Sequence, residues 1–153
     1  MSRSGYVDDL DMGQLNLYRA TVDRTINGKR GQAFLREMAA AMDAMTEKVL
    51  IASELINEDG DVCAIGSACK ARGIDASNID SECPDSVGFL VGISRTLAAE
   101  IEFINDEDGP YYRSEKPEDR WLRVRRWVGS KIIAELDAEQ PQNQPSSHTP
   151  QSQ

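Results

Sequence analysis

The chain has 153 residues, of which 40% are apolar and 28% charged, with a formal net charge of -9. That length supports one domain with a real hydrophobic core, and the composition fits a soluble globular protein, not a disordered or membrane one. No apolar run approaches the roughly 20 residues that span a bilayer and none follows Met1, so the chain is expected in the cytoplasm, away from membranes.

The first predicted helix covers residues 12–26. Asp11 with Gln14 three positions on makes a capping-box pattern, and Asn27-Gly28 supplies the stop. Leu15, Tyr18, Val22 and Ile26 share one face. Lys29-Arg30-Gly31 reads as a basic connector. A second helix is expected over 32–45, where Phe34, Leu35, Met38, Ala41, Met42 and Met45 keep helical spacing.

The stretch 49–75, VLIASELINEDGDVCAIGSACKARGID, then reads as a two-stranded β-hairpin over 50–65, turning at Asp59-Gly60. Glycine supplies the positive φ such a turn needs. A short helix of small residues follows, ending at Gly73, and then an irregular connector over 74–81. Pro84 prepares the next helix. Within residues 85–104 two apolar faces are separated by Gly92-Ile93-Ser94, with Ser94 as a cap for the later helix. This is the outline of a helix-turn-helix.

Asn105 to Pro110 forms an acidic turn. It lacks a calcium-loop pattern, because Lys116 stands where the closing glutamate would fall. Pro117 opens a last helix whose stripe includes Trp121, Val124, Trp127, Val128, Ile132 and Leu136. The tail over 138–153, rich in Gln, Pro and Ser, is expected to be disordered. The reading is therefore one α+β domain over 5–137, mostly helical, with a single hairpin. Its expected core is Phe34, Leu35, Met38, Leu50, Ile65, Leu97, Ile101, Trp121 and Trp127.

Chemistry is sparsely signalled. There is no glycine-rich phosphate loop, nucleophile elbow or zincin motif, and the one histidine, His148, lies in the tail. No enzyme activity, cofactor or metal is expected. Cys63, Cys69 and Cys83 read as reduced thiols. Charge is the informative feature: residues 51–110 hold 13 acidic and 3 basic side chains. Such a surface repels nucleic-acid backbones and attracts basic partners, although acidic faces also serve solubility. The candidate partner-binding residues are Glu58, Asp59, Asp61, Glu100, Glu102, Asp106, Glu107 and Asp108. The alternative is a DNA-binding regulator whose helix-turn-helix uses Arg95, with phosphate contacts from Arg120, Arg123, Arg125 and Arg126. The acidic surroundings disfavour it, since non-specific DNA affinity comes from basic side chains.

Several segments resemble a group of uncharacterised small proteins encoded by bacteriophages and prophages. They are MSRSGYVDD, GKRGQAFLREMAAAMDAM, EKVLIASELINEDGDVCAIGSACKARGID, EIEFINDE and KPEDRWLRVRRWV, together most of residues 1–130. The resemblance carries no assigned activity and no catalytic residue. It implies a phage accessory protein in a bacterial host, acting by binding a host protein or protein–nucleic-acid complex. An inhibitor of a defence complex, of the anti-CRISPR kind, is the expected role.

Overall fold

The computed structural model describes residues 11–134, which form six helices and, among those residues, no β-strand. The expected tail over 138–153, and the domain ends at 5–10 and 135–137, lie outside the described residues. The helices are α1 (Met12–Asn27), α2 (Lys29–Asp43), α3 (Ala64–Arg72), α4 (Pro84–Val91), α5 (Arg95–Asp106) and α6 (Pro117–Lys131).

Local signals account for most helix ends. The capping box of α1 is formed: Gln14 N–H donates to Asp11 Oδ1 at 2.8 Å, and Asp11 N–H donates to Gln14 Oε1 at 3.2 Å. Ser94 Oγ accepts from Leu97 N–H at 3.1 Å, and Pro117 is at the start of α6. Gly73 and Gly92 end α3 and α4 in the left-handed conformation, where a side chain would be strained.

Two expectations fail locally. Lys29-Arg30-Gly31 is the first turn of α2, not a connector. Gly31 permits this because a Cβ there would fall 1.9 Å from the Thr25 carbonyl oxygen, so α1 and α2 meet at a sharp corner. Gln32, buried in the corner, donates to the carbonyls of Ile26 at 2.8 Å and Lys131 at 2.9 Å, and its Oε1 accepts from Ile133 N–H. One side chain thus ties α1, α2 and the end of α6.

The β-hairpin over 50–65 does not form, and the α+β class gives way to a helical single domain. Its Asp59-Gly60 turn exists, with Gly60 at φ 84°, but the arms share one isolated bridge between Ile56 and Val62 and a bond from Ile51 N–H to the Val62 carbonyl at 3.0 Å, and build no strand. Three features break the ladder. Ser53 takes φ 69° and bends the first arm. Leu50 N–H donates to the Pro117 carbonyl rather than to a strand partner. The second arm ends at once, because Cys63 already caps α3 and its sulfur accepts from Gly66 N–H. A two-stranded ribbon is marginal in water, so these tertiary bonds prevail over local turn preference.

α5 is the centre of the domain, packing against α1, α3, α4 and α6. The core joins Phe34, Leu35, Met38 and Met42 of α2 with Ile65, Leu97, Ile101, Val124 and Val128. Leu50 and Trp121 are also buried, whereas Trp127 is only half-buried. Each fully buried large aliphatic side chain contributes about 1.5–3 kcal/mol. No helix among the described residues is long and apolar enough to cross a membrane.

Candidate functional site

The acidic residues divide by location. Glu58 and Asp59 are exposed on the Asn57–Asp61 turn, with Asp61 beside them. Asn57 shapes that turn, its Oδ1 accepting from the N–H of Asp59 at 3.0 Å and of Asp61 at 2.9 Å. Glu107 and Asp108 are exposed after α5, and Asp106 is half-buried. Glu100 and Glu102, expected on the same surface, are instead buried on α5, Glu102 at 1% exposure. Both lie on α5, which packs against α1, α3, α4 and α6.

Sequence reasoning missed a further corner. Ser53 N–H donates to Asp106 Oδ1 at 3.1 Å, and Ser81 Oγ donates to the Ser53 carbonyl at 3.3 Å. The bend at Ser53 therefore joins the end of α5 to the 74–83 loop, and Glu54, Asp80 and Glu82, near these contacts in the chain, are exposed. Only the raw charge count pointed to these additional carboxylates.

Several arginines are turned to internal use, while others, among them Arg19, Arg24, Arg30 and Arg113, are exposed. Arg120 donates to the Asn105 carbonyl at 3.1 Å and the Leu50 carbonyl at 3.0 Å. Arg123 clasps Glu115 through two bonds of 2.8 Å and also reaches the Ile104 carbonyl. This guanidinium holds the Glu115 carboxyl below its ordinary range, with Arg120 and Arg113 adding to the effect. Arg125 is paired in the same fork geometry with Asp43, and Arg72 with Glu37. Both carboxyls are held low by those hydrogen bonds. Arg126 is exposed, and exposed Arg95 lies 3.7 Å from Asp85.

The helix–Gly–helix corner is present as α4, Gly92 and α5, but α5 is buried along residues 97–102 and again at Ile104 and Asn105. A reading helix must lay one face in the major groove. Residues 97–102 of α5 are covered by the protein's own helices, Arg95 at its start is exposed, and Arg120 and Arg123 bond internal carbonyls.

Among the described residues, two recesses of contrasting lining stand out. A polar one of about 340 Å³ is lined by Asp106, Glu107, Tyr111, Arg113, Glu115 and Arg120. A more apolar cleft of about 380 Å³ opens beside the ends of α2 and α3, over Ala41, Met45, Val49 and Val62, with Glu47, Asp61 and Lys70 also lining it. No group of three or more His, Cys, Asp or Glu side chains among the described residues is placed to hold a metal ion. Cys63 and Cys69 are buried, Cys83 half-buried, and burial pushes the Cys69 thiol up from its ordinary value.

Comparison of the chain with protein-family models, with curated proteins and with solved structures gives no match.

Proposed function

We propose that this protein is a phage-encoded accessory protein that binds a basic surface of a bacterial protein or protein–nucleic-acid complex and inhibits it. A defence effector of the CRISPR kind is the target class, and the exposed acidic loops make the contact. The observation that carries this reading is the charge balance: residues 51–110 hold 13 acidic and 3 basic side chains, and several arginines are engaged by the chain itself. Arg72, Arg120, Arg123 and Arg125 engage the chain's own carboxylates and carbonyls. Glu58, Asp59 and Asp108 face solvent. The outward field is therefore negative, which steers association with basic surfaces and rejects nucleic-acid backbone.

Glu58→Lys, Asp59→Lys and Asp108→Lys, combined, test the reading without touching the core. Tagged wild-type and reversed proteins are compared for capture of host complexes from bacterial lysate over a series of salt concentrations. The wild type should capture a basic complex in a salt-sensitive manner, and reversal should abolish it, since exposed charge attraction is screened by ions. Equal capture by both proteins at every salt concentration would overturn the proposal, as would a sequence-selective gel shift of duplex DNA by the wild type.

A further inference from the structure

The apolar cleft beside α2 and α3 has a charge pattern that narrows its ligand. Its lining combines aliphatic side chains (Ala41, Met45, Val49 and Val62) with the carboxylates Glu47 and Asp61. Neither carboxylate makes an ion pair with a basic side chain among the described residues, and Asp61 Oδ2 has only a 3.4 Å contact with Asn57 Nδ2. The one cation in the lining, Lys70, points its ammonium to the Gly60 carbonyl at 3.4 Å. An anionic ligand would meet two carboxylates. A purely apolar one would shield them from water without a partner, which costs free energy. A volume of about 380 Å³ is at the small end for ligand clefts.

We propose that this cleft receives an arginine side chain presented by the bound partner, its aliphatic stem on Met45, Val49 and Val62 and its guanidinium at Glu47 and Asp61. Arginine fits on three physical grounds. Its methylene stem covers apolar surface while the head stays polar. Its planar fork offers five donors suited to carboxylates. Arginine is also a frequent anchor where a few side chains dominate an interface. The inference deepens the partner-binding reading and rests on it: Asp61 belongs to the acidic turn, and the fold adds Glu47 from the segment after α2.

The test uses Nα-acetyl-L-arginine methylamide as the probe, with the citrulline analogue, equal in shape but uncharged, as the comparison. Titration into the full-length protein is followed by methyl NMR of Met45, Val49 and Val62. Arginine should give saturable shifts of these methyls, with citrulline at least about tenfold weaker because the charge-assisted bonds are lost. Glu47→Gln with Asp61→Asn should remove the arginine response while both exposed positions leave the methyl spectrum folded. Equal binding of the two probes, an unchanged response in the double variant, or no saturable shift would each overturn the assignment. The Glu58, Asp59 and Asp108 reversal lies outside the cleft lining and separates the two proposals. If salt-sensitive capture of a complex survives while arginine fails to bind, the cleft assignment falls alone. If arginine binds and capture is indifferent to charge reversal, the acidic-loop contact falls, and the partner-presented arginine with it, while the cleft keeps only an affinity for free arginine.

Discussion

Asn105 and Ala64 are 41 positions apart in the chain, yet Asn105 Oδ1 accepts from the Ala64 N–H at 3.1 Å. The same side chain donates through Nδ2 to the Ile51 carbonyl at 2.9 Å, so it stands between the two segments expected to pair as strands. Asn105 is 1% exposed. Asn105→Ala leaves a buried N–H and a part-buried C=O without partners, the buried one costing about 1–3 kcal/mol. Urea unfolding should show a loss of about 1–3 kcal/mol on that basis. A loss below about 0.5 kcal/mol, the level of ordinary surface changes, would remove Asn105 from this role.

Two helical glycines should respond to alanine with opposite signs. At Gly66 a Cβ would fall 1.9 Å from the Leu55 carbonyl oxygen, a backbone atom that can retreat only if α3 shifts. At Gly129, exposed on α6, the nearest atom is not backbone but the side-chain nitrogen Arg125 Nη1, at 3.2 Å. Gly129→Ala should therefore stabilise by about 0.4–1 kcal/mol through reduced unfolded-state entropy. Gly66→Ala should destabilise by at least about 1–3 kcal/mol, as overpacking does. Paired thermal melts decide the matter: a higher melting temperature for Gly66→Ala would contradict the close approach of α3 to Leu55.

Leu35 is fully buried and Phe89 is 92% exposed, although both are large apolar residues on helices. Leu35→Ala should cost about 2–5 kcal/mol through lost transfer energy and the cavity left behind. Phe89→Ser should stay within about 0.5 kcal/mol of wild type. Denaturant midpoints for the two variants test the inside and outside assignments. Equal losses would contradict the way α4 lies on α5.

Acid should weaken the fold through Glu115. Its hydrogen bonds to Arg123 hold the folded-state pKa below the ordinary value of 4.5. A depressed carboxyl pKa stabilises the fold fully above the unfolded-state value. That contribution is lost as pH falls through the lower folded-state value. Stability measured by urea unfolding should decline as pH drops below about 4.5, and Glu115→Gln should make that decline shallower while lowering stability at neutral pH. An identical acid profile in the variant would show that the Arg123 clasp contributes nothing to folding.

Most helices were legible because their signals are local. The spacing of Phe34, Leu35, Met38 and Met42 is a helical stripe in any context, and Asp11, Ser94, Pro117 and Gly73 act on backbone groups within a turn of themselves. What only the tertiary structure decided are relationships between distant residues. The Asp59-Gly60 turn formed as its residues demand, but the hairpin failed because Asn105 and Pro117 took backbone partners near its arms. Glu100 and Glu102 read as surface charge until α5 proved to be the central helix. Arg120 and Arg123, candidates for phosphate, turned inward to carbonyls that no sequence pattern announces. Glu47 and Asp61 came to line one cleft through the packing of α2 beside α3. Side-chain periodicity reports which face of a helix is apolar, while the identity of what covers that face depends on contacts between elements far apart in the chain.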